Sequence, residues 1–200
     1  MSDYVYRQRE GAEAFAPALF LFHGTGGDEN QFFDLGQHLI PGARLIAPRG
    51  DVSEGGAARY FRRTGEGVYD MADLGRAVEK MTGFVKARVA EGQPRETIGL
   101  GYSNGANILA SVAFEHPELF DRLVLMHPLI PFAPNDASGL AGRKVLITAG
   151  RRDPIAPAAE TQKLADYFTR QGAEVTLHWH EGGHELRQDE LAAIQLFLQN

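Results

Sequence analysis

The sequence predicts a single α/β domain over residues 1–200, with a mostly parallel central sheet covered by helices on both faces. The chain has 200 residues, of which 44% are hydrophobic, and this is enough for one substantial core. Short apolar runs alternate with longer segments of helical period, the pattern typical of that architecture. No internal repeat, low-complexity tract or linker divides the chain.

The apolar runs predict six buried strands. They cover residues 18–23, 43–47, 97–102, 123–126, 144–149 and 174–180. Five segments of helical period lie between or after them, at 30–40, 70–90, 104–114, 158–171 and 189–198. The second is the clearest, because apolar residues from Leu74 to Val89 recur at steps of three and four and Gly92 and Pro94 then stop the helix.

Composition narrows the classes of function. The net charge of -6 is spread along the chain, with no basic run that would follow a phosphate backbone, so no nucleic-acid partner is expected. The absence of Cys excludes disulfides, a thiolate nucleophile and thiolate metal ligands. No leader-like or membrane-length apolar run is found, so we expect a cytoplasmic protein without membrane insertion. A homodimer is left open.

Residues 101–105 read Gly-Tyr-Ser-Asn-Gly, a G-x-S-x-G sequence between a predicted strand and a predicted helix. In a nucleophile elbow the strand ends in a sharp turn that lifts the serine hydroxyl above the sheet. Larger side chains two residues to either side would collide there, which explains Gly101 and Gly105. Ser103 is therefore the candidate nucleophile. The alternative is a glycine-rich turn between a strand and a helix with an incidental serine, which the flanking pattern makes less favoured.

A serine hydroxyl needs a neighbouring base, and the chain contains seven histidines. His184 follows the last predicted strand, where the base falls in the chain order of nucleophile-elbow enzymes. The alternative is a solvent-facing residue before the closing helix. A metal site of His178, His180 and His184 is a second alternative, although no H-E-x-x-H sequence or acidic cluster supports it.

The acid that orients the base must lie between serine and histidine in the chain. Asp153 fits, because it lies in the loop directly after a predicted strand and so at the same sheet edge as the other two candidates. Its alternative role is the N-cap of the next helix, which Asp before Pro also suits. Asp136 and Glu160 are the fallback acids.

An oxyanion formed during acyl transfer needs two backbone N–H donors. We expect one from Asn104, directly after the candidate nucleophile, and the other from Thr25 within the glycine-rich residues 23–27. A phosphate-binding turn is the rival interpretation of this loop. No Gly-Lys-Ser/Thr follows it and no G-x-G-x-x-G ribose partner is evident.

The segments HGTGGDEN, GYSNGAN, AGRRDP and GGHEL resemble, in order and spacing, the phospholipase/carboxylesterase family of small α/β-hydrolases, over nearly the whole chain. Residues 25–29 and 61–63 resemble its bacterial carboxylesterase branch, which is related to acyl-protein thioesterases. The resemblance implies the α/β-hydrolase fold, a catalytic Ser103, Asp153 and His184, and no metal or organic cofactor. Dienelactone hydrolases carry Cys at the elbow, so that relative is not expected.

Only about seventeen residues separate the strands ending near Met126 and starting near Lys144, too few for a large helical cap. We therefore expect an open site. The candidate walls are aromatic and aliphatic side chains: Phe32, Phe33, Phe61, Leu129 and Ile130. Arg62 and Arg63 are candidates for contact with an acidic substrate group, and surface solvation is their alternative role.

These features predict a serine esterase that hydrolyses a small carboxylic or thiol ester through an acyl-enzyme. The partner is then a small-molecule ester. One alternative is a non-catalytic ligand-binding protein that retains the fold, because fold alone does not determine activity. Another is a nucleotide-dependent enzyme that uses the glycine-rich loop at residues 24–27.

Overall fold

The computed structural model describes residues 4–200. Its strands are β1 (Tyr6–Arg9), β2 (Ala18–Phe22), β3 (Arg44–Pro48), β4 (Val52–Glu54), β5 (Ala57–Arg59), β6 (Arg63–Gly65), β7 (Val68–Tyr69), β8 (Thr97–Tyr102), β9 (Arg122–Met126), β10 (Lys144–Gly150) and β11 (Glu174–His180). Its α-helices are α1 (Phe33–Leu39), α2 (Met71–Gly92), α3 (Asn104–Glu115), α4 (Ala158–Arg170) and α5 (Gln188–Gln199). All six predicted strands and all five predicted helices are present, with α1 beginning three residues later than predicted.

Seven strands form one sheet in the order β1-β3-β2-β8-β9-β10-β11. Strand β1 is antiparallel to β3, and all other neighbours are parallel. The prediction of a mostly parallel sheet is confirmed. Strand β1 was not predicted, because its sequence Tyr-Arg-Gln-Arg is polar and its side chains are largely exposed.

Helices cover both faces of the sheet. Phe20 and Phe22 of β2 lie in the core beneath α2, α3 and α4, whereas Leu19 and Leu21 lie in the core beneath α1 and α5. All five residues of β2 are therefore buried, which is why the strand is a continuous apolar run rather than an alternating one.

Helix α2 begins and ends close to the predicted positions. The Asp70 carboxylate accepts a hydrogen bond from the Asp73 N–H at 3.0 Å, which caps the first turn. Gln93 follows the helix in the left-handed conformation with φ of 43°. Across residues 4–200, no helix is both long and apolar enough to cross a membrane.

Two hairpins lie between β3 and α2, formed by β4 with β5 and by β6 with β7. They were not predicted, because each strand has only two or three residues and most of their side chains are at least partly exposed. Between β9 and β10, a stretch that is fully described, the chain forms only one short 3-10 helix, Ser138–Leu140. The expectation of no large cap is confirmed.

Candidate active site

Four chemically active side chains gather at one edge of the sheet. Ser103, His127 and Asp153 follow β8, β9 and β10, and His184 follows β11. Because these four strands are parallel neighbours, their carboxyl ends meet at one edge, where ligands bind in open α/β sheets. The structure brings the three residues predicted from chain order into direct contact and adds a fourth.

Ser103 lies at a strained turn. Its φ of 53° and ψ of -116° are unusual for a residue with a side chain, and its N–H is held by the Met126 carbonyl at 2.9 Å. A Cβ on Gly101 would lie 2.5 Å from the Gly105 carbonyl oxygen. A Cβ on Gly105 would lie 2.5 Å from the His23 carbonyl oxygen and closer still to that of Phe22. The turn therefore requires both glycines.

Hydrogen bonds connect serine, histidine and aspartate. The Ser103 Oγ lies 2.9 Å from His184 Nε2, and His184 Nδ1 lies 2.7 Å from Asp153 Oδ2. Burial would raise the pKa of Asp153, but hydrogen bonds from His127, His184 and a backbone N–H hold it well below its usual range. The ionised carboxylate accepts a hydrogen bond from the Nδ1–H of His184, so the lone pair on Nε2 of the neutral ring is free to accept a hydrogen bond from the serine hydroxyl.

Asp153 is not the N-cap of α4, which was its alternative interpretation, because Pro157 occupies that position. Its Oδ1 accepts hydrogen bonds from the N–H groups of Ile155 and Ala156 at 2.8 and 2.9 Å, which fixes the turn before α4. One oxygen thus stabilises the loop and the other contacts histidine. The fallback acids Asp136 and Glu160 make exposed hydrogen bonds elsewhere and do not line the cleft around the serine.

His127 and Glu190 were not among the site residues predicted from the sequence. His127 is fully buried, with Nδ1 3.0 Å from Asp153 Oδ2 and Nε2 3.0 Å from Glu190 Oε1. The position of His127 directly after a strand is the signal that could have found it, because the same reasoning located Asp153. Glu190 lies in the first turn of α5, where acidic residues are common for reasons unrelated to a site.

Two groups of potential metal-binding side chains occur among residues 4–200. They are His127 with His180 and Glu190, and His127 with Asp153 and His184. The set considered from sequence does not assemble, because His178 belongs to neither group and faces Asp189 at 3.6 Å.

Thr25 and Asn104, the expected oxyanion donors, both line the cleft beside Ser103. Asn104 opens α3, so its N–H has no partner within the helix. Within the described chain, neither N–H donates to a protein acceptor. The Thr25 hydroxyl accepts from Arg59 Nη1 at 2.8 Å, and the N–H of Gly26 donates to β5 at 2.9 Å, so the hairpin fixes this loop.

Two aromatic side chains, His23 and Tyr102, form hydrogen bonds that hold the loops of the site in place. His23 Nδ1 donates to the Gly24 carbonyl at 2.7 Å, and its Nε2 accepts from the Gly50 N–H at 2.8 Å. Burial lowers the pKa of His23, which favours this neutral form. The Tyr102 hydroxyl donates to the His184 carbonyl at 2.7 Å, and burial together with the charge of Asp153 raises the pKa of Tyr102 to about 12. Tyr102 therefore remains a donor at neutral pH.

The cleft above Ser103 has a volume of about 310 Å³. Leu129 lines it, as expected. The other predicted walls are wrong: Phe32, Phe33 and Phe61 are buried in the two cores, and Ile130 faces a neighbouring hollow. Sequence does not separate a buried aromatic residue from a wall residue, because the same apolar surface suits both places.

Charged side chains enter the cleft from the hairpins. Arg63 lines it, as does Arg59, which the sequence analysis did not identify. Both guanidinium groups contact Glu54, at 2.7 and 3.4 Å, so two positive charges share one negative charge. Arg62 is not among the lining residues.

The fold and this site define the protein as an α/β-hydrolase. More narrowly, the chain belongs to the dienelactone hydrolase family, whose sequence model matches residues 54–191. This corrects the expectation that a serine at the elbow and the absence of Cys disfavour a dienelactone hydrolase relative. The kinship with small α/β-hydrolase carboxylesterases is confirmed.

Known proteins match nearly the whole chain. The Bacillus subtilis (strain 168) protein named Putative hydrolase MhqD is 37% identical over 174 residues, 86% of this chain and 87% of that protein. The crystal structure of the Bacillus cereus carboxylesterase has 33% identity and a TM-score of 0.94, covering 99% of this chain and 94% of that one. Atu2452 from Agrobacterium tumefaciens str. C58, a protein of unknown function, has 56% identity and a TM-score of 0.92, with 98% and 96% coverage. These relationships support ester hydrolysis as the general activity.

Proposed function

We propose that this protein is a serine carboxylesterase that hydrolyses small carboxylic or thiol esters through an acyl-enzyme on Ser103. The observation that supports this most directly is the hydrogen-bond chain from Ser103 Oγ through His184 to Asp153, with lengths of 2.9 and 2.7 Å. In this arrangement His184 is the general base and Asp153 fixes its tautomer.

The acylation step uses the free lone pair on His184 Nε2. As the Ser103 oxygen attacks the ester carbonyl carbon, Nε2 takes the hydroxyl proton and the carbonyl oxygen becomes negatively charged. The N–H groups of Thr25 and Asn104 stabilise that charge. When the tetrahedral intermediate collapses, the ester C–O or C–S bond breaks and the proton on Nε2 passes to the leaving alcohol or thiol.

Deacylation repeats this sequence with water in place of the serine hydroxyl. His184 Nε2 removes a proton from a water molecule, whose oxygen attacks the acyl carbon. Collapse of the second intermediate releases the carboxylic acid and returns the proton to Ser103. The step requires access for water, which the absence of a large cap over the site allows.

The cleft favours a small substrate. A volume of about 310 Å³ is at the lower end of the range for small-molecule sites, and Leu129 and Ile155 provide an apolar wall. Arg59 and Arg63 on another side carry one positive charge in excess of Glu54. We therefore expect short acyl groups to be preferred, and an ester that carries a carboxylate to outperform its neutral analogue.

Labelling with a fluorophosphonate probe tests the mechanism, because only an activated serine reacts. We expect one label per chain, absent in Ser103→Ala, and parallel loss of p-nitrophenyl ester hydrolysis. A series of p-nitrophenyl esters and acyl thioesters of increasing chain length, with neutral and carboxylate-bearing members, then defines the substrate class. A folded wild-type protein that is neither labelled nor active would instead support the ligand-binding alternative.

A further inference from the structure

A continuous series of buried ionisable groups extends from the site into the protein. Asp153 Oδ2, which lies 2.7 Å from His184 Nδ1, is also 3.0 Å from Nδ1 of His127. On its other side His127 Nε2 lies 3.0 Å from Glu190 Oε1, and His180 Nε2 lies 3.2 Å from Glu190 Oε2. The side chains of His127, Asp153 and Glu190 are completely excluded from solvent.

The proton positions follow from one backbone group. The Gly182 N–H donates to His180 Nδ1 at 2.9 Å, so that nitrogen is an acceptor and His180 Nε2 must carry the proton. His180 Nε2 thus presents its proton to Glu190 Oε2 at 3.2 Å and to His127 Nε2 at 3.4 Å. Glu190 also accepts from the Arg187 N–H at 2.8 Å, and its pKa is lowered, so it is an ionised acceptor. His127 lies between two carboxylates and donates to both, which requires a proton on each ring nitrogen.

A bridging metal ion is the rival explanation for the group formed by His127, His180 and Glu190. Such an ion needs an unprotonated Nε2 on both histidines. The Gly182 N–H occupies the lone pair of His180 Nδ1 and so keeps the proton on Nε2. The contacts therefore favour a charged imidazole over a metal.

The surroundings of His127 support that charge. Burial opposes it, but hydrogen bonds to Asp153 and Glu190 outweigh burial and raise the pKa of His127 to about 9. The other titratable rings that face it are His180 on β11, His184 after β11 and Tyr102 on β8. In a neutral state His127 would leave two ionised carboxylates without a cation between them, which is costly in a buried site.

We propose that His127 is a positioning residue for this hydrolase: as a buried imidazolium it holds the Asp153 carboxylate in place and partly neutralises it, which sets the pH at which His184 becomes a base. The effect on catalysis rests on the proposed esterase mechanism, whereas the charge on His127 does not. Its ring centre lies 5.2 Å from that of His184. A unit charge at this separation is expected to move a titration midpoint by about one pH unit.

The key variant is His127→Asn. The backbone of His127 is left-handed, with φ of 50°, and Asn tolerates this conformation better than other side chains. Its amide can still donate to Asp153 but carries no charge. We expect the acidic limb of kcat/KM against pH, measured with p-nitrophenyl acetate, to move upward by about one unit, with kcat on the plateau within about tenfold of wild type.

Glu190→Gln removes a negative charge from the other side of His127 and, where the His127 ring keeps its charge, should move the same limb downward. The double variant should lie close to wild type. His178→Asn is the matched control, because His178 lies outside the series of buried groups, and its profile should not move. Circular dichroism and urea unfolding establish that each protein is folded. Limbs that stay in place would overturn the proposal, as would limbs that move in the same direction in both single variants while His127 of Glu190→Gln still shows the ¹⁵N shifts of a protonated ring.

The charge on His127 can be measured without any activity. In ¹⁵N-histidine-labelled Ser103→Ala protein, both ring nitrogens of His127 should show the protonated chemical shift from pH 6 to 8, the range below the expected midpoint of about 9. A neutral His127 at pH 7 would refute the proposal even if all variants failed to fold. If the wild-type protein is neither labelled by the fluorophosphonate probe nor active as an esterase, but its His127 is protonated, only the proposed catalytic function is refuted.

Discussion

Replacing Gly105 with alanine tests the geometry of the elbow most directly. Gly105 lies in the first turn of α3, so helix propensity alone predicts that alanine stabilises the protein by up to about 1 kcal/mol. The added Cβ, however, would lie 2.5 Å from the His23 carbonyl oxygen and 2.6 Å from the Phe22 carbonyl carbon. These are backbone atoms at the end of β2 and cannot rotate away.

Relief of this contact requires α3 and the end of β2 to separate by about 1 Å, the shortfall from normal van der Waals separation. Overpacking of this kind costs about 1–3 kcal/mol and can cost more. We expect a net loss of about 2 kcal/mol and a midpoint of thermal unfolding lower by about 4–8 °C. The same shift moves Ser103 relative to Thr25, and a misplacement of about 1 Å costs about 100-fold in rate.

Gly75→Ala and Gly83→Ala are matched controls. Both glycines lie within α2, and a Cβ on either meets no atom within 4 Å. In each control variant the free energy of unfolding should increase by up to about 1 kcal/mol, and the activity should be unchanged. Urea unfolding measures the free energies, and hydrolysis of p-nitrophenyl acetate measures the activity. A Gly105→Ala protein as stable and as active as the two controls would refute the close approach of α3 to β2.

Three further predictions concern the site. Asp153→Asn should lower kcat by about 10⁴-fold, because the amide disfavours the required tautomer of the base, and steady-state kinetics with a folded variant checks this. Stability should be greatest between about pH 5 and 6.5. Above this range, because the pKa of His127 is raised, roughly 3 kcal/mol of the free energy of unfolding is lost as the pH rises through about 9. Below this range, because the pKa values of Asp153 and Glu190 are lowered, the free energy of unfolding decreases as the pH decreases. Urea midpoints across pH measure both slopes, and a flat profile would contradict them. Tyr102→Phe loses the 2.7 Å hydrogen bond to the His184 carbonyl, which contributes about 1 kcal/mol, and should lower kcat by up to about fivefold. An unchanged kcat would show that this hydrogen bond is not needed to position the His184 loop.

The type of nucleophile at the elbow is a poor indicator of family membership for this chain. As a motif, a serine at the elbow disfavours the dienelactone hydrolases, yet the chain belongs to that family. The elbow imposes glycines at positions 101 and 105 and a left-handed residue between them, and these constraints arise from the backbone. These backbone constraints do not depend on whether the nucleophile is serine or cysteine, so the identity of the nucleophile is weak evidence about ancestry.

Six of the seven strands of the main sheet, the five helices and the positions of Ser103, Asp153 and His184 can be predicted from the sequence, because each depends on local patterns and on the rule that parallel strands end at one edge. The tertiary structure alone decided the antiparallel β1, the hairpins that bring arginines to the cleft, and the burial of Phe61. It also placed Glu190 of α5 against His127, 63 positions earlier in the chain. Contacts of this kind join side chains from elements that are distant in sequence, and a local sequence pattern does not indicate which elements pack together.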